Sequence, residues 1–544
     1  VYIPSSLWIR RWAMPDISEN AVGKLVQEKG RLHKDRVFLF FKDEKITYEQ
    51  LDNVSNAFAN GFRDMGVQKD DKIAIMMRNH PNFLYAWFGS AKLGAVEVPI
   101  NTAYKGDLLR HIIDNSDSKI LIIDGDMLDR LLLIKDELTK LEQIICHGEM
   151  DQEVAKALPV PIHPLEHLFK YPHDPVEVGV SGKDPVGFIY TSGTTGVSKG
   201  AVCPHNYFLH MAELVAELRD LNSQDILYTF LPLFHLNAQV FTVLTALLRD
   251  AQVVISDRFS ASTFWDEIRR YGATQFNYLG AVMTILAKQE PKENDHDNPV
   301  RIAFGAACPP DVMKHVEERF GFICLEGFGM TEIGLVVHDI INERRTGSCG
   351  RVLGEYYEVQ LVDDDDVEVG IGEIGEIVSR PKKPYIMMTE YYKMPDKTLD
   401  VYRNLWFHSG DYAKKDEDGY FYFVDRKKDA IRRRGENISS FEVEKIINTH
   451  PKVLECAVFA VPSELGEDDV KANVVLREGE NLLPVDLIQY CSQRMAYFAV
   501  PRYLEFVTEL PKTPTNRIEK YRLREMGVTE NTWDREKEGV KISR

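Results

Sequence analysis

Short runs of β-branched and aliphatic residues alternate with amphipathic stretches along the first half of this chain, and that alternation narrows the possible folds more than any other feature. "KIAIMM" is followed by a helical segment from Asn82 to Leu93, then by "AVEVPI", another helix and "KILIID". Buried strands joined by helical crossovers build a parallel sheet. A second cycle predicts a related layered unit: "VGFIY", a helix from Tyr207 to Leu218, "ILYTFLP", a helix from Val240 to Leu248, and "QVVIS". After about residue 345 the pattern changes, because "YEVQLVDDDDVEVGIGEIGEIVSR" alternates short strands with glycines and an acidic turn, as antiparallel hairpins do. From about Asp429 strands ("ECAVFAVP", "KANVVLRE") mix with helices ("SFEVEKIINTH", "PVDLIQYCSQRM"). The expected fold class is α/β: a large N-terminal domain of layered α/β subdomains with a β-rich subdomain, and a small α+β C-terminal domain.

Composition excludes several function classes. The 544 residues hold 84 acidic against 66 basic side chains, a formal charge of -18 that repels a nucleic acid backbone or an anionic membrane surface. An anionic ligand must therefore find a local basic patch. Apolar runs are broken too early for an integral membrane segment, by Lys92 in one case and Arg249 in another. Two arginines interrupt "VYIPSSLWIRRWAMP" where a secretion signal needs an apolar centre, and seven cysteines are scattered without a C-x-x-C pair. The expectation is idle thiols in a reducing cytoplasm, no nucleic acid partner, and a monomer or homodimer.

Four segments carry chemistry. "YTSGTTGVSKGAV", from Tyr190 to Val202, follows an apolar strand and sets five serine and threonine residues and three glycines around Lys199. Its backbone donors, hydroxyls and charge suit phosphate, but the Walker A spacing is missing, so it is a phosphate loop of another kind. "EGFGMTEIG", residues 326 to 334, puts Phe328, Thr331 and Glu332 within five positions. An aromatic face can stack on a base, a hydroxyl can donate to phosphate, and a carboxylate can hold Mg²⁺. "FHSGDYAKKDEDGYFYFVDRKKDAIRRRGENISSFEVE", residues 407 to 444, supplies Asp411 after a Ser-Gly turn, the pair Asp425 and Arg426, and two basic clusters. "PKTPTNRIEKYRLR", residues 511 to 524, sets Lys520 in a polar loop. Singly, each segment also reads as a surface turn, a hairpin with a solvated charge run, or a solubilising lysine.

In this order and at these intervals, the four motifs resemble those of the adenylate-forming superfamily: acyl-CoA synthetases, luciferases and peptide-synthetase adenylation domains. The resemblance runs from Thr47 to Arg524, and "PLFHLNAQ", "FWDEIRRYGAT", "GYFYFVDR" and "RGENISSFEVE" look most like the carnitine/crotonobetaine CoA ligase branch. It implies ATP, Mg²⁺ and coenzyme A as cofactors and a small-molecule carboxylate as substrate. Thr191, Ser192, Gly193, Thr194, Thr195 and Lys199 would wrap the β- and γ-phosphates. Phe328 and Gly329 would lie along adenine, with Gly305, Ala306 and Ala307 facing adenine and acyl group; Cys308 departs from the family's usual proline. Thr331 would touch the α-phosphate, Glu332 would hold Mg²⁺, and Asp411 with Arg426 would clamp the ribose. Lys520 would bridge substrate carboxylate and α-phosphate, and His235 would gate the pantetheine channel. The resemblance implies domains at 1–427 and 428–544, a hinge at Lys428 that swings Lys520 out, and Gly435 where pantetheine passes. The run Arg432, Arg433 and Arg434 is expected to receive CoA phosphates.

The acyl pocket is expected along "PLFHLNAQ", "FNYLGAVM" and "LVVH", with Asn277, Tyr278 and His338 among its walls. Leu236, Asn237, Ala238 and Gln239 include no acid, so the ammonium of an α-amino acid would lack a partner. A small to medium acid, carnitine-like or otherwise polar-substituted, is the expected substrate of an AMP-forming acid–thiol ligase. Loading of a separate carrier protein and luciferase-like oxygenation share the motifs and remain the alternatives.

Overall fold

The computed structural model describes residues 17–191, 197–426, 430–433, 435–463, 466–511, 518 and 520–542. Among them the predicted alternation becomes two stacked, mostly parallel sheets. One has seven strands in the spatial order Ile162–Pro164, Gln143–His147, Ser118–Asp124, Lys72–Met76, Val96–Pro99, Pro185–Thr191 and Lys199–Pro204. The other has nine, and its centre runs Ile323–Met330, Ile302–Ala306, Gln275–Leu279, Ile226–Thr229 and Gln252–Ile255, all parallel. Helices Pro81–Leu93 and His205–Leu218 are buried along nearly their whole length, which explains their almost uninterrupted apolar sequences. A large apolar cluster joins both sheets, from Phe38 and Trp87 through Phe208 and Leu247 to Val337 and Tyr391.

The antiparallel texture after residue 345 forms a third sheet in which Tyr357–Val362 pairs with Ile374–Pro381 and Trp406–Lys415 with Phe421–Arg426. The C-terminal lobe has its own core around Ile447, Val458, Val474 and Leu487. It is built on a sheet of Val453–Pro462, Asp468–Leu476, Tyr503–Phe506 and Trp533–Asp534, with the hairpin Ala430–Arg433/Glu436–Ser439 leading in. Ala103 and Tyr104 of the large domain pack against that core, so the two parts touch. No helix among the described residues is long and apolar enough to cross a membrane.

The helix expected from Val240 to Leu248 opens as a π-turn, Gln239–Leu244, before regular α-helix resumes. Side chains compete for its carbonyls. Thr245 Oγ1 donates to Val240 O at 2.7 Å, Thr242 Oγ1 reaches Asn237 O at 3.5 Å, and Arg219 Nη2 donates to Phe241 O at 2.5 Å. Intruding donors of this kind widen a helical turn.

Candidate functional site

The strands that flank the phosphate-loop segment pair antiparallel, with Thr191 at the end of one directly opposite Lys199 at the start of the next. Ser192, Gly193, Thr194 and Thr195 lie outside the described residues. The ends of the turn are well anchored. Ser198 is buried, donates through Oγ to Thr191 O at 3.1 Å, and accepts His111 Nε2 at its own carbonyl at 2.8 Å.

Strand Ile323–Met330 and the turn after it bring Phe328, Thr331 and Glu332 to the same end of the sheets. Glu332 is buried, and its Oε1 accepts the hydroxyls of Thr191 at 3.0 Å and Tyr391 at 2.8 Å. Lys199 Nζ stands 4.2 Å from the centroid of the Tyr391 ring. Two motifs 141 residues apart in sequence thus meet at one carboxylate. Tyr391 was missed from sequence; "YIMMTEYYK" reads as an unremarkable loop, and its role emerges only because that segment pairs along Lys199–Pro204 through Ala201 and Tyr391. Burial and Glu332 together push the Tyr391 hydroxyl far above its ordinary range, so it serves as a donor.

Phe328 faces Phe423, ring centroids 6.5 Å apart and 26° from parallel, leaving two aromatic faces at the candidate base site. A Cβ on Gly329 would lie 2.2 Å from Gly334 O, so its own hairpin already demands glycine there. Asp411 is buried after Gly410, whose φ of +73° makes the sharp turn. It lies across the strand pair from Arg426, described here in its backbone alone. Gly305 abuts Tyr278, Ala306 is partly exposed, and Ala307 takes a left-handed φ of +59°. The departure at Cys308 has a structural use: its N–H, which proline lacks, donates to Glu326 Oε1 at 2.7 Å.

His235 meets Glu436, and Leu279 meets Gly435, across the two parts of the chain. Glu436 Oε2 sits 3.3 Å from His235 Nε2 and accepts Asn101 Nδ2 at 3.2 Å. Gly435 has φ +81°, and a Cβ there would fall 2.1 Å from Leu279 Cδ1. Glu442, in the first turn of helix Ser440–Asn448, accepts the Ser198 backbone N–H; burial pushes its carboxyl up to about 7 despite that bond. The C-terminal lobe therefore touches the anchor of the candidate phosphate turn as well as His235 and Leu279, on segments expected to line the acyl pocket.

Lys520 is not brought to this centre. Its ammonium binds Glu444 at 2.7 Å and Ser440 Oγ at 2.8 Å, both within its own lobe. Lys428 and Arg434 lie outside the described residues. Arg433 corrects the expected landing area for CoA phosphates: it is buried, pairs with Asp469 at 2.8 Å, and donates to Phe498 O and Val500 O. Tyr278 and His338 are likewise not pocket walls. Both are fully buried, Tyr278 with its hydroxyl toward Glu326 and His338 with Nδ1 against Asp339 O.

The AMP-binding enzyme profile matches residues 26–392, and the AMP-binding enzyme C-terminal domain profile matches 442–517. The chain belongs to the AMP-binding enzyme family. The crotonobetaine/carnitine–CoA ligase of Salmonella typhimurium is 32% identical over 507 residues, covering 91% of this chain and 96% of that one. Solved structures agree. A fatty acyl CoA synthetase of Mycobacterium tuberculosis superposes with TM-score 0.68 at 27% identity, covering 94% of this chain and 99% of that one. An anthranilate CoA ligase bound to anthranoyl-AMP superposes with TM-score 0.71 at 26% identity, covering 93% and 97%. The superfamily resemblance and its carnitine ligase branch are met, as are the α/β fold with a separate C-terminal domain and the enzyme class. This AMP-binding enzyme is an ATP-dependent acid–thiol ligase of the acyl-CoA synthetase kind.

Proposed function

We propose that one active site activates a small to medium, polar-substituted carboxylic acid as acyl-AMP and then transfers the acyl group to CoA, two placements of the C-terminal lobe serving the two steps. The observation that carries this reading is the joint placement of Lys520 and Gly435. Lys520 is held by Glu444 and Ser440, while Gly435 and Glu436 press on Leu279, His235 and Asn101. That is the arrangement expected for thioester formation.

Activation brings a carboxylate against a phosphate, and at about 4 Å two like charges repel by roughly 4 kcal/mol at an effective dielectric near 20. In the other placement Lys520 lies between the two anions and offsets that repulsion as charge builds on the α-phosphate. Carboxylate oxygen bonds to the α-phosphorus, the bond to the pyrophosphate oxygen breaks, and pyrophosphate leaves. Thr191 and Lys199 hold the β- and γ-phosphates, Thr331 the α-phosphate, Phe328 the adenine and Asp411 the ribose. Glu332 fits a Mg²⁺ ligand: Thr191 and Tyr391 occupy its Oε1, and Oε2 has no hydrogen-bond partner among the described residues. Bound there, Mg²⁺ would screen the phosphate charge.

Rotation about a hinge near residue 428 then withdraws Lys520 into the grip of Glu444, where it no longer blocks the acyl carbon. The CoA sulfur bonds to that carbon, and AMP leaves with the bonding pair on its phosphate oxygen. Glu442 marks the exchange, because its carboxylate now occupies the Ser198 amide at the end of the phosphate turn. An anion at that amide suits a loop that has already released pyrophosphate.

The direct test is a panel of carboxylic acids assayed for AMP and pyrophosphate release with and without CoA. The proposal expects acid-dependent pyrophosphate exchange without CoA and stoichiometric AMP and acyl-CoA with it. Oxygen consumption without any need for CoA would contradict it, as would acyl transfer to a carrier protein in place of CoA.

A further inference from the structure

Resting on that reading, one buried polar chain bears on which acid is chosen. Arg219, at the C-terminal end of helix His205–Leu218, is fully buried behind the expected acyl site. Its Nη1 donates to Asn277 Oδ1 at 2.6 Å, its Nη2 donates to Phe241 O, and its guanidinium lies 5.3 Å from the centroid of Phe304. No carboxylate among the described residues pairs with it; the nearby Asp225 is taken by Arg301 at 2.6 Å. Burial lowers the guanidinium only to about 9, which leaves it charged at neutral pH.

A guanidinium has donors and no acceptor, so it settles the direction of every bond downstream. Asn277 must turn its oxygen to Arg219. Its nitrogen must then face forward, and it donates to Asn237 Oδ1 at 2.6 Å and to Thr242 Oγ1 at 3.0 Å. Asn237 in turn must offer its oxygen backward, which leaves its Nδ2 pointing forward with no partner among the described residues. Asn277 is buried but Asn237 is partly exposed, as are Leu236, Phe241, Leu279 and Ala306. Leu279 and Ala306 face each other across adjacent strands, and Leu279 is the residue that Gly435 meets.

We propose that Asn237 is a specificity-determining residue whose side-chain N–H, oriented by Asn277 and Arg219, selects acids carrying a hydrogen-bond-accepting oxygen on the acyl chain. A hydroxyl, keto or second carboxylate group supplies that acceptor. A quaternary ammonium does not, and it would also face the buried charge of Arg219 across a medium of low dielectric. A site built to donate a hydrogen bond rejects the analogue lacking the acceptor, because the donor is left unpaired.

The test measures kcat/KM for adenylate formation, by pyrophosphate release, on matched acids of short to medium length. The set comprises hydroxy, keto and dicarboxylic acids, their unsubstituted counterparts, and trimethylammonio acids with their uncharged tert-butyl isosteres. The parent enzyme is expected to favour at least one oxygen-bearing acid over its unsubstituted counterpart by about tenfold or more, and each tert-butyl acid over its trimethylammonio partner. Asn237→Leu should collapse the first ratio toward unity, and Asn237→Asp, which presents an anion at the same place, should reverse the second. Calorimetric ATP binding by each variant checks that its nucleotide site is intact. Turnover of panel acids with no oxygen advantage, a preference of the parent for trimethylammonio acids, or ratios unmoved by Asn237→Leu overturns the specificity proposal and leaves the ligase reading standing. Failure of every acid to release pyrophosphate overturns the ligase reading and this inference with it.

Discussion

Glu326 shows what one departure from the family pattern brings. Burial pushes its carboxyl up to about 7 from an ordinary 4.5, with Asp339 nearby adding to the shift and the Cys308 N–H opposing it. A carboxyl raised in the folded state makes its full favourable contribution below 4.5, and that contribution is lost as pH rises through about 7. Glu326→Gln keeps the acceptor for Cys308 and removes the ionisation. It should therefore stabilise the protein by about 1–3 kcal/mol at pH 8 and by almost nothing near pH 5; thermal unfolding at the two pH values checks this, and an equal gain at both would contradict it. Tyr391 is the second residue to probe. Tyr391→Phe deletes one of the two hydroxyls on Glu332, and the loss of a charge-assisted bond should slow pyrophosphate exchange about tenfold with the fold intact. Residues inside contiguous motifs, such as Glu332 and Thr191, were legible because chemistry and spacing coincide. Tyr391 and Arg219 were not, because each reaches the site from a segment outside the four motifs, and only tertiary pairing brings it there.

At the scale of elements, the strands and helices were legible wherever burial imposes a period. The runs "KIAIMM", "KILIID" and "QVVIS" are strands, and the acidic turn lies between two antiparallel ones. The π-turn at Gln239–Leu244 escaped because it is set by Thr242, Thr245 and Arg219 competing for carbonyls, a tertiary effect with no local period. The expectation for Arg433 failed for a related reason: strand alternation turns it inward onto Asp469, which charge alone does not reveal. The hairpin Ala430–Arg433/Glu436–Ser439 carries its own prediction. Gly435 combines a left-handed backbone with contact to Leu279, so Gly435→Leu adds both conformational strain and overlap when the lobe is docked. Thioester formation from isolated acyl-AMP should fall at least about tenfold, while acid-dependent pyrophosphate exchange stays within about twofold of the parent. Equal damage to both half-reactions would count against the hairpin's role.

For the whole molecule, the account depends on a lobe with its own core, whose contacts to the large domain include, among the described residues, the packing of Ala103 and Tyr104 and the polar pairs Glu436 with His235 and Asn101, Lys445 with Asp107 at 3.6 Å, and Glu442 with Ser198. Contacts of this kind can be exchanged at little cost, unlike the apolar cluster that joins the two sheets. The most direct measurement separates the two half-reactions of Lys520→Ala. Adenylate formation, followed as acid-dependent pyrophosphate exchange, should drop by about 10²–10³, while CoA-dependent consumption of supplied acyl-AMP should remain within a few fold of the parent. Adenylate formation at the parental rate, or loss of both activities together, would contradict the claim that this lysine joins the anions in one placement of the lobe and stands aside in the other.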